Sequence, residues 1–190
     1  MSNPIELITG PLSIYWAPVG EAFPDVDNAP AGNWALLGTS GDQNYHEDGV
    51  SITVTDEKSL FTPLGSALPT AVFRTAQSIV VGVTLVDLTF ANLRLAWNLL
   101  SVVADAGPPV TSALSLDFTL TVNDLALLAR GASKSPELTG GNLQLECNRV
   151  VEMAAHALSF VKGDPVGVEL EFTVLRDTSG NVGDLKTASV

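Results

Sequence analysis

The chain has 190 residues, of which 46% are hydrophobic and only 16% are charged. Charged residues make up about 25% of an ordinary soluble domain, so this composition favours a single domain that buries much of its surface against copies of itself. The net charge is -12, from nine basic and 21 acidic residues. That balance excludes a nucleic-acid reader that grips phosphates through Lys and Arg.

The acidic residues are concentrated towards the N-terminus. Nine acidic residues and no basic residue precede Lys58. Such a bias has two interpretations, an ordinary solubilising charge excess or a surface that repels polyanions.

The first half of the chain contains several strand patterns. Strands are predicted at 12–17 and 34–38, and a period-two pattern at 50–55 opens a long hairpin that covers 49–86. The segment 56–73 has two prolines and apolar residues without a clear period, so we predict that it is the hairpin tip, ordered only by contacts between subunits. The edges of a long hairpin invite pairing with another chain.

A helix is predicted at 88–104. Phe90, Leu93, Trp97 and Leu100 share one face, while Leu95, Leu99 and Val102 lie on another side. A helix that is apolar on two sides is covered on two sides. Its second cover is either a neighbouring subunit or more of the same domain, and the sequence leaves both open.

Alternating patterns dominate the second half of the chain, which makes the predicted fold mainly β. Strands are predicted at 113–122, 143–147, 150–161 and 166–174, with Glu169 and Glu171 facing outward in the last. Residues 162–165 are predicted to form a turn between strands. The Ser-, Gly- and Thr-rich residues 178–190 are predicted to be a flexible C-terminal tail.

The residues that could carry chemistry do not form a credible set. Cys147 is the only cysteine, which excludes an internal disulfide and predicts a buried, inert thiol made in a reducing compartment. The run His46-Glu47-Asp48 cannot turn three neighbouring side chains of a strand towards one metal ion. No signal peptide or membrane-spanning segment is predicted. We therefore expect neither an enzyme nor a bound cofactor or metal.

Several segments occur in a familiar order. They are the Gly-Pro-Leu-Ser-Ile-Tyr-Trp-Ala-Pro-Val-Gly run at 10–20, 34–39, 49–54, 87–89 and the pair 160–165 and 168–172. This order, over about residues 8–177, resembles the major tail tube proteins of long-tailed bacteriophages.

The resemblance implies a β-sandwich or barrel-like tail tube fold with one flanking helix and a long hairpin. It also implies rings, six copies each, whose inner strands join into one closed β-barrel around a channel. Stacked rings form the virion tail tube through which viral DNA passes into the host. The expected partners are other copies of the chain and the tape-measure, tail terminator and tail-tip proteins, with synthesis in the host cytoplasm.

Two sets of residues are candidates for these roles. An acidic channel wall would repel DNA without holding it. The candidate channel-lining acids are Glu47, Asp48, Asp56 and Glu57. The candidate inter-subunit contacts are Leu60, Phe61, Leu64, Leu68, Leu95 and Leu99.

The alternative function is a monomeric β-sandwich module that binds carbohydrate or a cell surface. Such a module needs exposed aromatic side chains that converge on one face. The sequence offers Trp34, Tyr45 and Phe61 for that role.

Overall fold

The protein is mainly β, as the sequence predicts. The computed structural model describes residues 7–105, 111–116, 121–134, 142–158, 160–162 and 166–187, and within them it contains ten strands and a single α-helix. The strands are β1 Leu7–Pro18, β2 Ala35–Leu36, β3 Tyr45–Phe61, β4 Ala71–Leu85, β5 Val102–Asp105, β6 Thr111–Leu114, β7 Leu125–Lys134, β8 Asn142–Glu152, β9 Val168–Val174 and β10 Gly183–Thr187, and the helix is α1 Phe90–Ala96.

The main sheet is antiparallel, with the strand order β2-β1-β7-β8-β9-β4-β3 and with β10 beside β8. Strands β5 and β6 form a separate two-stranded sheet. Although β1 and β3 lie towards opposite ends of this order, the Tyr45 hydroxyl on β3 accepts a hydrogen bond from the Ile14 N–H on β1. The sheet therefore curls around its core until its ends approach each other.

Strand β9 shows how the alternating pattern builds the core. Val168, Leu170 and Phe172 are at most 4% exposed, whereas Glu169 and Glu171 between them are exposed. Leu170 and Phe172 lie opposite Val83 and Val81 of β4, which are also buried. The predicted orientation of this strand is confirmed.

The predicted helix 88–104 is wrong in its length. α1 covers only Phe90–Ala96, capped by the Thr89 hydroxyl, which accepts from the Asn92 N–H. Asn98 and Leu99 then adopt φ values of 55° and 58°, which no right-handed helix tolerates, and β5 begins at Val102. The apolar spacing continues past Ala96 because Leu99 folds back to pack on the same core and Leu100 is buried as well.

The predicted strands 113–122 and 150–161 are also wrong in their extent. β6 ends at Leu114, and Leu116 and Val122 are both 61% exposed; residues 117–120 lie outside the described residues. The Asn98 side chain accepts from the Asn123 N–H at 2.7 Å and so holds this stretch away from a ladder.

Strand β8 joins the predicted strands 143–147 and 150–161 but ends at Glu152. The Glu152 carboxylate accepts hydrogen bonds from the Ala154 N–H at 2.8 Å and the Glu171 N–H at 3.3 Å. These bonds draw the chain out of the ladder at Ala154. Of the predicted turn 162–165, only residue 162 lies within the described residues.

The predicted flexible tail 178–190 contains strand β10, which pairs with Leu143–Cys147 of β8. The Asp177 carboxylate accepts from the N–H groups of Asn181 and Ser179, both at 2.8 Å, and thereby fixes the turn that precedes β10. The same hydrogen bonds, with that of Asn181 foremost, lower the pKa of Asp177. Residues 188–190 lie outside the described residues.

Candidate assembly surface

The predicted long hairpin is present and projects beyond the sheet. β4 pairs with β9 only along Val80–Leu85, whereas its pairing with β3 continues outward to Phe61 and Ala71. The loop at the tip is thus confined to 62–70, and the rest of the predicted 56–73 tip is paired strand. A two-stranded ribbon has little stability of its own in water, so the outer hairpin needs additional contacts to be held firmly.

One face of the hairpin continues the apolar face of the core. Residues directly opposite each other in an antiparallel pair share a face, and Ile52 lies opposite the buried Val81. Further out on this face, Val54 is 58% exposed and Leu60 and Val72 are similarly exposed. This face therefore carries two apolar pairs beyond the cover of the core, Val54–Ile79 and Leu60–Val72, separated by Asp56–Gln77 and Lys58–Arg74.

The tip carries further large apolar side chains. Leu64 is fully exposed and Leu68 is 74% exposed, and Leu60 and Phe61 at the end of β3 are exposed on opposite faces of the hairpin. A concentration of large exposed apolar side chains at one end of a protein is typical of a protein–protein contact. The structure thus brings together four of the six predicted contact residues.

The other two predicted contact residues lie elsewhere. Leu95 is 1% exposed because α1 turns it into the core, so it offers nothing to a second subunit. Leu99 is partly buried against the same core. The second apolar side of the helix is covered by its own domain, which resolves the alternative that the sequence left open.

The opposite face of the hairpin is mainly polar from Ser51 to Ser59 and ends in Phe73 and Phe61. Ser51, Thr53, Thr55 and Glu57 alternate with the apolar residues of β3. The face continues onto β9, where Glu171 lies opposite Gly82 and Glu169 opposite Thr84. None of the paired residues on this face of β3, β4 and β9 is Lys or Arg. The surface is thus hydroxyl-rich and acidic.

The four predicted wall acids do not share one surface. Glu57 lies on the polar face, whereas its neighbour Asp56 lies on the apolar face with Lys58 and Arg74. Glu47 and Asp48 are exposed at the base of the hairpin, where the ladder is interrupted between Tyr45 and Val50.

The negative charge of Asp56 is compensated by two neighbouring basic side chains. Its carboxylate lies 3.0 Å from the Lys58 ammonium and 2.7 Å from the Arg74 guanidinium. The hydrogen bond from Lys58 and the charge of Arg74 lower the pKa of Asp56, so the carboxylate stays ionised. One acid between two bases gives this part of the hairpin a net positive charge.

Glu169 and Glu171 were not among the predicted wall acids, although their outward orientation is visible in the alternation of 166–174. The missing information was the pairing of β9 with β4, because only that register places these two glutamates beside the hydroxyl-rich residues of the hairpin.

The aromatic residues of the alternative function do not converge. Trp34 is buried, its indole N–H donates to the Ala22 carbonyl at 2.8 Å, and its ring lies 5.1 Å from that of Phe23. Tyr45 is buried in the core. Only Phe61 of the three is exposed.

The groups that could carry chemistry are dispersed. Burial raises the pKa of the Cys147 thiol to about 12, which matches the predicted inert thiol. His46 contacts Asp48, and His156 contacts Glu152. Within the described ranges, no three His, Cys, Asp or Glu side chains are grouped so as to hold a metal ion.

Comparison with known proteins gives no indication of function, so the proposal below is argued from the sequence and the geometry. No protein-family model matches the chain, and no curated protein matches it significantly. In the part of the chain that the structure describes, no helix has the length and hydropathy needed to cross a membrane.

Proposed function

We propose that this protein is a self-assembling structural subunit, the major tail tube protein of a long-tailed bacteriophage. The observation that carries the proposal is the projecting hairpin, whose apolar face and tip remain exposed beyond the core. Burying these side chains against neighbouring subunits removes apolar surface from water and supports the otherwise marginal ribbon.

The ends of the sheet support the same proposal. β3 is an edge strand of 17 residues, and residues 71–79 of β4 are paired on one side only. Long, unprotected edges favour pairing with another chain, and closure of a sheet into a barrel removes them. In a ring whose subunits each contribute strands to a common barrel, the edge strands are paired and the exposed apolar side chains are buried.

The polar face then forms the wall of the channel. Its serine and threonine hydroxyls, together with Glu57, Glu169 and Glu171, repel phosphates and offer no basic side chain to which passing DNA could adhere. In this proposal the partners in the virion are the tape-measure, tail terminator and tail-tip proteins, and no catalytic residue is required.

Deletion of residues 60–69 tests the proposal. These residues include the exposed tip and none of the buried core, so the variant is expected to fold and to remain unassembled. Circular dichroism checks the fold, and negative-stain electron microscopy checks assembly. A matched control replaces exposed Leu116, away from the hairpin, with Ser. Tubes from the deleted variant that match those of the wild type would overturn the proposal.

A further inference from the structure

A groove opens where the outer hairpin leaves the sheet. It forms beyond Val80, the last residue of β4 that pairs with β9, and has a volume of about 500 Å³. Its walls come from the outer part of β4, the end of β9 and the start of β10. The residues that matter for its chemistry are Arg74, Gln77, Ile79, Val174 and Arg176.

The groove is a positive site on an acidic protein. Arg176 is exposed and has no hydrogen bond or ion pair with any described residue. Arg74 shares the single carboxylate of Asp56 with Lys58, which leaves one positive charge uncompensated. Two surplus positive charges in a concave site, on a chain with a net charge of -12, fit an acidic partner surface.

Seven exposed acids form no ion pair with a Lys or Arg among the described residues, namely Asp25, Asp27, Glu47, Asp48, Glu57, Glu169 and Glu171. Three of them, Glu57, Glu169 and Glu171, lie on the polar face. Asp25 and Asp27 interact electrostatically with Lys186 and Arg130 of the same chain. The remaining two, Glu47 and Asp48, line one surface cavity at the base of the hairpin, where the ladder is interrupted between Tyr45 and Val50.

We propose that the groove with Arg74 and Arg176 receives Glu47 and Asp48 of a second copy of this chain. Two neighbouring carboxylates match the two surplus positive charges of the groove. The inference rests on the proposed self-assembly and specifies one of its contacts.

The positions of the two surfaces decide the kind of assembly. About ten residues of extended strand separate Glu47 from the level of Arg74, a distance on the order of 30 Å. When such a contact is not reciprocated within one pair of copies, it is heterologous and continues from copy to copy instead of ending at a dimer. Such a contact joins the base of one hairpin to the outer part of the next.

A charge exchange tests this contact. Arg176→Glu and Glu47→Arg each place like charges opposite each other in the proposed contact, and a chain that carries both changes restores the attraction. Neither side chain has a hydrogen bond or ion pair with a described residue of its own subunit, so the fold is expected to be unchanged. Lys162→Glu, an exposed site outside the groove, changes the net charge as Arg176→Glu does and serves as the control.

The readout is the lowest protein concentration at which assembly appears by light scattering at low salt. Each single change is expected to raise this concentration about tenfold or more, the double change to return it towards the wild-type value, and the control to leave it unaltered. Normal assembly of Arg176→Glu, or no rescue in the double variant, would overturn the contact while leaving the proposed function intact. A wild-type protein that never assembles would overturn both.

Discussion

Tyr45 is a single polar side chain that ties two distant strands together. Its hydroxyl accepts from the Ile14 N–H and donates to the Leu37 carbonyl, both at 3.0 Å. We predict that Tyr45→Phe lowers the free energy of unfolding by about 1–3 kcal/mol, because two buried backbone groups lose their partner. Urea unfolding measures the change. The control is Tyr15→Phe, whose hydroxyl has no hydrogen bond within the described residues; equal effects of the two substitutions would contradict this account.

The pH dependence of stability tests the same residue. Burial raises the pKa of Tyr45 from 10.0 to about 12, so the folded state holds the phenolic proton more tightly than the unfolded state. The resulting stabilisation is complete below pH 10 and is lost as the pH rises towards 12. Cys147 has a raised pKa as well and loses stabilisation in an overlapping range. The difference between wild type and Tyr45→Phe isolates the tyrosine, and a difference that stays constant from pH 9 to pH 12 would refute its assignment.

At the scale of residues, the sequence was sufficient to predict whether a side chain is buried where the alternation within a single strand decides it. The alternation in 166–174 predicted the faces of Val168 and Glu169 because neighbouring residues of a strand point to opposite sides. It failed for Trp34 and Leu95, since the burial of each depends on segments distant in sequence that only the fold brings near.

At the scale of elements, β10 is the clearest addition to what the sequence predicted. Its residues carry little apolar pattern, yet the strand completes an edge of β8, and the Lys186 ammonium lies 2.6 Å from the buried carboxylate of Glu146. A tail of this composition is predicted to be flexible because the residues that stabilise it lie about 40 residues away in the sequence.

Truncation after Val182 tests the contribution of β10. We predict a loss of about 2 kcal/mol or more in the free energy of unfolding, because five ladder residues disappear and the carboxylate of Glu146 stays buried without its cation. Hydrogen exchange of Leu143–Cys147 is expected to quicken in parallel. Leu185→Ser, an exposed site on the same strand, is the control. Unchanged stability and exchange in the truncated chain would show that β10 contributes nothing.

The hairpin and the helix illustrate the two sides of prediction at this scale. A short alternating pattern at 50–55 and a proline-containing segment at 56–73 were sufficient to predict a hairpin near 49–86, although not how far its paired strands extend towards the tip. The helix was predicted too long because apolar residues at helical spacing also arise where an irregular segment packs on a core, as Leu99 does.

At the scale of the whole molecule, the distribution of charge separates an acidic, hydroxyl-rich face from the two-arginine groove. We predict that Glu171→Lys leaves assembly intact but makes the assembled tubes retain short DNA in a co-sedimentation assay, because a basic side chain on the wall attracts phosphates. Asp27→Lys, an exposed change outside the sheet, is the control. Equal DNA retention by both variants would contradict the assignment of this face to the channel.

The most direct measurement for the central claim is electron microscopy of the purified protein in negative stain, with light scattering for its mass. The account predicts hollow rings or tubes with a central channel, in which the polar face lines the lumen and the hairpin tips lie between neighbouring subunits. A species that remains at the 19.9 kDa of a single chain at every concentration and salt, even in the presence of tail-tip complexes, would contradict the account.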